Sequence, residues 1–206
     1  MKRSDKVTVY GITGGIGAGK SRVLSYVGRR YHARIIRADE VGKQLMEPGK
    51  PVYNALVGSY GRGILNEDGS IDKKKVAAIG FRDRESQEAI NRLEHGIIRS
   101  EIIRQIARTR KPVVFLEAAL LIEGGLKELC RKTIYVYAPE EVRIKRLMSA
   151  RGYSEEKCRM FLSLQLDEKT FRDSSDHVLR NDRKFSEVRM DIDDLMKKLG
   201  VPERNA

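Results

Sequence analysis

The chain has no tryptophan, 2 cysteines and 5 prolines in 206 residues, and aromatic side chains make up only 6% of it. Each scarcity excludes something. Cys130 and Cys158 are too few for a disulfide framework and lack metal-ligand spacing, which fits a reducing compartment. The histidines, His32, His95 and His177, form no metal-binding constellation either. Sparse aromatics, with Lys and Arg scattered instead of blocked, leave no stacking platform for single-stranded nucleic acid. The longest apolar run, residues 113–122, is interrupted by Glu117 and is too short to span a bilayer. Behind the basic opening Met1-Lys2-Arg3 there is no apolar stretch of signal-peptide length. A cytoplasmic protein with neither a membrane nor a nucleic-acid partner is therefore expected.

What is abundant is positive charge. Lys and Arg number 41 against 29 Asp and Glu, a net charge of +12. Such a balance favours anionic partners but does not choose between a nucleotide, a phosphorylated small molecule and nucleic acid. Glycine makes the choice. Gly14-Gly15-Ile16-Gly17-Ala18-Gly19-Lys20-Ser21 satisfies the phosphate-loop pattern G-x-x-x-x-G-K-[S/T]. Glycines there admit positive φ and let backbone N–H groups close around a phosphate chain. The lysine reaches the β and γ phosphates, and the hydroxyl is placed to ligate Mg²⁺. The flanks agree: residues 7–12 are β-branched and aromatic, the composition of a buried strand, and residues 21–31 carry apolar side chains at helical spacing. Strand, loop and helix arrive in the order a phosphate site requires.

Further short strands are predicted at residues 33–37, 112–117, 133–137 and 177–180. No convincing strand falls between about residues 50 and 110, where Ile90, Leu93, Ile97, Ile98, Ile102 and Ile106 mark a long amphipathic helix with an expected break near Gly96. A first-turn proline, Pro139, and acids at 140 and 141 open a helix, and a second is expected over residues 154–169. The pattern predicts one α/β domain: a three-layer sandwich of the phosphate-loop NTPase type with a five-stranded parallel sheet. The core would take residues 1–50, 111–138 and 171–206, a helical insertion about 51–110 would be the substrate-binding subdomain, and a helical lid would span about 139–170. Assembly is expected to be a monomer or a small homo-oligomer.

Two carboxylates follow strands in the places where parallel sheets present ligand groups. Asp39, after the second strand, is open to two readings: proton acceptor for an attacking hydroxyl, or N-cap of a helix over residues 40–46. Glu117, ending the third strand, is either part of a Mg²⁺ shell or a solvent-facing acid. Arg143, Arg146 and Arg151 in the lid segment could supply cationic charge to a transferring phosphoryl group, or lie on a solvated helix face.

Taken together, the order of motifs resembles the dephospho-coenzyme A kinase family over nearly the whole chain. The likeness lies in Gly11 through Ser21, in Ala38-Asp39, in Tyr60-Gly61 through Asp68-Gly69, and in Phe81. Leu93-Glu94-His95, Leu120-Leu121-Ile122-Glu123, Gln165, and the stretch from Asp176 to Asn181 extend it. Departures from the family pattern fall at Arg22, Arg37, Lys73, Gly96 and Ala119. The resemblance implies ATP and Mg²⁺ as cofactors, dephospho-coenzyme A as the small-molecule substrate, and phosphorylation of its ribose 3′-hydroxyl to give coenzyme A. Residue by residue, it implies nucleotide contacts from Gly14, Gly15, Ile16, Gly17, Ala18, Gly19, Lys20, Ser21, Arg22 and Asn181. Ser21 and Glu117 would serve the metal. Asp39, Lys20 and Arg146 would be catalytic, and Asp39, His95, Arg92, Arg99 and Glu123 would contact the acceptor. Three alternatives stand beside it. One is a nucleoside or nucleoside-monophosphate kinase on the same scaffold. Another is a GTP switch, suggested by the D-x-x-G of Asp39-Glu40-Val41-Gly42 but lacking any N-K-x-D. The last is a basic nucleic-acid-binding ATPase.

Overall fold

The computed structural model describes residues 7–122 and 124–204. In chain order these form β1 (Thr8–Thr13), α1 (Lys20–Arg30), β2 (Ala33–Arg37), α2 (Ala38–Leu45), α3 (Pro51–Tyr60), α4 (Lys73–Gly80) and α5 (Arg84–Arg108). They continue with β3 (Val113–Glu117), β4 (Lys132–Tyr137), α6 (Glu140–Arg151), α7 (Glu155–Ser163), α8 (Glu168–Asp173), β5 (His177–Arg180) and α9 (Phe185–Leu199). The chain divides into two compact units, one of Met1–Ile36 with Thr109–Ala206, the other of Arg37–Arg108. Among the described residues no helix is long and apolar enough to cross a membrane.

The first unit is built on a five-stranded sheet in the order β2-β3-β1-β4-β5, flanked by helices, as the sandwich reading expects. β1 lies in the middle, parallel to β3 with Ile12 opposite Glu117, and parallel to β4 with Thr13 opposite Tyr135. Strands covered on both faces favour apolar and β-branched side chains along their length, which is why the interiors of β1, β3 and β4 read as mainly hydrophobic runs. Tyr10, Ile12, Phe115, Ile134 and Val136 point to one face, where Val23, Leu24 and Val27 of α1 and Val188, Ile192 and Met196 of α9 cover them. Burial of each such large side chain contributes about 1.5–3 kcal/mol. On the other face Tyr135 stacks on Phe171 of α8 with ring centroids 5.0 Å apart. There Gly11 keeps β1 low enough for its neighbours: a Cβ would come within 2.7 Å of Leu121 and 3.0 Å of the Cys130 sulfur. Burial pushes the Cys130 thiol up to about 12.

The edge strand β5 is fastened by Asp176, which accepts from the Lys132 ammonium at 2.7 Å and from the Thr133 N–H at 2.8 Å. The Lys132 hydrogen bond, aided by those from Thr133, holds the Asp176 carboxyl down near 2. This matters for the site because β5 delivers Asn181, whose own N–H donates to Tyr137 O at 2.7 Å.

The second unit is helical, and α2 belongs to it. From residue 38 to 108 the described residues hold no strand, only an isolated bridge between Leu65 and Ile71. The close approach of α2 and α5 depends on Gly42, where a Cβ would lie 3.2 Å from Ile98 Cδ1. α4 is capped by Asp72, which accepts from the Lys74 and Lys75 N–H groups.

Two helix expectations are corrected. α5 runs unbroken through Gly96 for 25 residues. A solvent-side glycine costs a helix only about 1 kcal/mol, and the packed residues on either side outweigh that. The expected helix over 154–169 is instead α7 and α8, separated because Asp167 caps α8 by accepting from Thr170 N–H at 2.6 Å. A cap stabilises a new helix start at the expense of continuing the old one. The connection between them contains Gln165, and its position there proves important. α6 and α7 share a small core of Ile144, Leu147 and Cys158, onto which the loop residue Ile16 packs.

Candidate active site

β1 ends at Thr13, and the chain turns at once through Gly14, Gly17 and Gly19, with φ of 143°, 79° and 90°. Side-chain-bearing residues avoid these values, so the glycine spacing noted in the sequence is a backbone requirement. It is a spatial one as well. A Cβ on Gly14 would sit 2.4 Å from Val136 O, and on Gly19 2.3 Å from Asn181 Nδ2. The loop feeds directly into α1, with Gly19 as a left-handed N-cap that makes no side-chain capping bond, and no acid in the first turn. The positive end of the helix and its first N–H groups are thus directed to the loop without a carboxylate to neutralise them. Lys20, the first residue of α1, donates its ammonium to Gly14 O at 2.6 Å, which folds it back over the loop.

α6 presents Arg143 and Arg146 on one face, at i and i+3. Arg143 Nε donates to Ile16 O at 2.8 Å, and its guanidinium lies directly over Gly15. Arg146 donates to Ala18 O at 3.3 Å and to Asn181 O at 2.7 Å. Asn181, buried, donates through Nδ2 to Ala18 O at 2.7 Å. Gln165 joins the α7–α8 connection to the loop: its Oε1 accepts from Ile16 N–H at 2.9 Å and from Arg143 at 2.7 Å. The sequence placed Arg143 behind Arg146 and gave Gln165 no role. The signal for Arg143 was its helical offset from Arg146, whereas Gln165 lies 149 residues from Ile16 and left no local trace.

The electrostatics are those of an anion site. Burial lowers the pKa of Arg143, against the opposing charges of Tyr135 and Glu140. Burial also lowers Arg146, helped by the like charge of Arg22 and opposed by Asp182. Guanidiniums desolvated beside one another and beside a lysine are relieved by a bound polyanion. The glycine cradle and these cations together fit a nucleotide triphosphate.

The remaining expected residues divide. Arg22 places its guanidinium 4.1 Å over the Phe185 ring. Ser21 is exposed in the first turn of α1, and Glu117, half-buried, ends β3 beside β1. Arg151 stands apart at the end of α6, exposed and 5.9 Å from the Tyr153 ring. Asp39, Arg92, His95 and Arg99 belong to the helical unit. Asp39 is exposed, two residues beyond β2, and is not an N-cap: α2 starts at Ala38, with Arg37 in the cap position. Arg92, His95 and Arg99 fall on one face of α5 at i, i+3 and i+7. Arg92 pairs with Glu88 at 3.4 Å. Glu123 lies outside the described residues. Among the described residues no group of three His, Cys, Asp or Glu side chains could hold a metal ion.

Gln165 offers a direct test of this geometry. Gln165→Leu leaves a half-buried N–H of Arg143 and that of Ile16 without their acceptor, a cost of about 1–3 kcal/mol. The melting temperature is expected to fall by about 2–4 °C per kcal/mol in a chain of this size. Gln165→Glu retains both bonds and so the melting temperature, but sets a carboxylate where a polyphosphate would lie, and raises the KM for ATP instead. A wild-type melting curve for Gln165→Leu would show that the bridge carries nothing.

Comparison with known proteins gives this arrangement a family. A family model described as dephospho-CoA kinase matches residues 8–187. A dephospho-CoA kinase from Idiomarina loihiensis is 31% identical over 187 residues, covering 91% of this chain and 92% of that one. Among solved structures, a Thermus thermophilus protein superposes with a TM-score of 0.76 at 26% identity, over 94% of this chain and 98% of its own. A shikimate kinase from Bacteroides thetaiotaomicron shares the fold alone, with 16% identity and a TM-score of 0.56 over 94% of this chain and 98% of its own. Since the match runs from β1 through the helical unit and into α9, the chain belongs to the dephospho-CoA kinase family, the nucleotide-using phosphotransferases of the last step of coenzyme A synthesis.

Proposed function

We propose that the chain transfers the γ-phosphoryl group of ATP to the ribose 3′-hydroxyl of dephospho-coenzyme A, giving coenzyme A and ADP. The observation that carries this reading is the extent of the family match, which takes in the helical unit as well as the phosphate loop; the loop alone would support any kinase of this fold. The glycine cradle from Gly14 to Gly19 holds the β and γ phosphates by backbone N–H groups. Lys20, Arg143 and Arg146 offset charge that spreads onto the phosphoryl oxygens in the transition state. Asn181 fixes the loop from below through Ala18, which sets where those donors point.

Asp39 accepts the proton of the 3′-hydroxyl as O3′ bonds to the γ-phosphorus and the bond from that phosphorus to the β-phosphate oxygen breaks. A carboxylate is too weak a base to ionise an alcohol in advance, so the proton moves late, once phosphoryl transfer has acidified it, and orientation counts for more than basicity. Arg92, His95 and Arg99 offer the acceptor's diphosphate a row of donors along α5. The Ser21 hydroxyl and the Glu117 carboxylate, both in the core unit, would hold a Mg²⁺ ion, which would supply positive charge to offset that of the nucleotide phosphates.

The experiment is Mg²⁺-dependent ADP release measured with dephospho-coenzyme A beside a panel of nucleosides and nucleoside monophosphates, products being identified by mass. Turnover confined to dephospho-coenzyme A, with one phosphate added to the product, is expected. Turnover on a nucleoside monophosphate instead would keep the nucleotide site and overturn the acceptor.

A further inference from the structure

At the end of the core unit opposite the phosphate loop lies a cavity of about 470 Å³ that none of the roles above uses. Its lining is His32, Lys111, Pro202, Glu203 and Arg204. His32 joins α1 to β2, Lys111 leads into β3, and the other three follow α9, so three separate stretches of chain meet here. β2 and β3 start at this end of the sheet, whereas the loop and Glu117 lie where the parallel strands β1 and β3 finish. The 5 residues of β3, at about 3.3 Å each, put roughly 15 Å of strand between the two ends.

Backbone bonds fix the walls. His32 N–H donates to Pro202 O at 2.8 Å and Arg204 N–H to Arg30 O at 2.9 Å, around an antiparallel bridge between Tyr31 and Glu203. Lys111 N–H donates to Thr109 Oγ1 at 3.2 Å. With these N–H groups spent on the chain's own oxygens, a ligand would be held by side chains. The Lys111 ammonium lies 3.3 Å from His32 Nδ1, and both residues are half-buried. An ammonium has no lone pair and can only donate, so Nδ1 accepts and the ring proton sits on Nε2 as a second donor. Among the described residues neither Lys111 nor Arg204 pairs with a carboxylate, and Glu203, the acid in the lining, is engaged by Arg30 at 3.2 Å. Cations gathered in a cavity without acids of their own favour a bound anion.

We propose that this cavity binds a phosphate group, either inorganic phosphate or the phosphomonoester of a small metabolite, held by Lys111 Nζ, His32 Nε2 and the Arg204 guanidinium. Donors arriving from three stretches of chain suit a tetrahedral dianion with three or more acceptor oxygens better than a planar carboxylate with two. The volume falls within the range of small-ligand pockets, about 300–1,000 Å³, and leaves room for an organic group behind the phosphate. α1 has Lys20 at the phosphate loop and Arg30 beside this cavity, so the two sites share a helix but no residue.

The test is a titration of the wild-type protein with inorganic phosphate at constant ionic strength, following the His32 ring protons by NMR. The chain has 3 histidines, and His32→Gln assigns the resonance. A saturable shift that chloride does not produce is expected. Arg204→Met, which changes an exposed side chain, and Lys111→Met should each raise the half-saturating concentration tenfold or more, the loss of one charge-assisted hydrogen bond. Lys20→Met, altered at the phosphate loop, should leave the His32 titration as it is in the wild type. Ribose 5-phosphate, the phosphomonoester probe, should shift the same resonance; tighter binding than inorganic phosphate identifies a metabolite as the source, weaker binding the free ion. A His32 resonance that does not respond to phosphate, or whose response Lys20→Met abolishes or both cavity variants leave intact, overturns the site.

Discussion

Lys20→Met is expected to lower kcat by on the order of 10²–10³-fold, the loss typical when one preorganised charge donor is removed from a developing oxyanion. The ammonium is held against the carbonyl of Gly14 at 2.6 Å, so its position is set by the loop and not by the ligand. Met preserves the stem and its packing but has no charge to share with the β and γ phosphates. Because Arg143 and Arg146 remain, ATP should still bind, and the KM for ATP should rise less than kcat falls. The measurement is single-turnover phosphoryl transfer at saturating ATP, with a melting curve to establish that the fold persists. A rate within threefold of wild type would remove Lys20 from the catalytic set and leave the arginines as the working cations.

Asp39→Asn should have an effect of similar size by a different route. General-base contributions run at about 10²–10⁴-fold, and Asn keeps the shape of Asp while abolishing its capacity to take a proton. Since Asp39 is exposed and caps no helix, its replacement should leave the melting temperature within a degree or so, as is usual for surface changes. The KM for ATP should also be unmoved. Glu40→Gln is the control: the neighbouring acid pairs with Arg37 at 3.6 Å, so its loss should change neither parameter appreciably. Unchanged turnover in Asp39→Asn would leave the 3′-hydroxyl without a proton acceptor from this chain, and the role would pass to solvent or to the phosphate itself.

The parts of this site that could be read in the sequence are those whose physical demands are local. A buried parallel strand favours a mainly apolar, β-branched run, and β1, β3 and β4 announce themselves that way. A loop at positive φ needs glycine at fixed offsets, and Gly14, Gly17 and Gly19 supply it. The same local logic failed at Gly96, because a helix-weakening residue says nothing of the packing on either side. It failed again over residues 154–169, where the helical pattern runs on through the point at which Asp167 caps a new helix start. The N-cap alternative for Asp39 could be decided only by where α2 starts, a matter of one or two residues that sequence patterns seldom resolve. The bridge from Gln165 to Ile16 and Arg143 was out of reach altogether, because nothing within a helical turn of Gln165 depends on it.

The packing of Cys130 against Gly11 of β1 has a consequence for redox chemistry. An acceptor that ends in a free thiol, and a product that keeps it, would exchange with any accessible thiolate on the enzyme or be trapped on it as a mixed disulfide under oxidising conditions. Burial pushes the Cys130 thiol up to about 12, which disfavours the reactive thiolate at neutral pH. Cys158 is sealed in the small core between α6 and α7. Cys130 is held in its thiol form and Cys158 is buried, so the enzyme should process its acceptor without becoming S-thiolated by it.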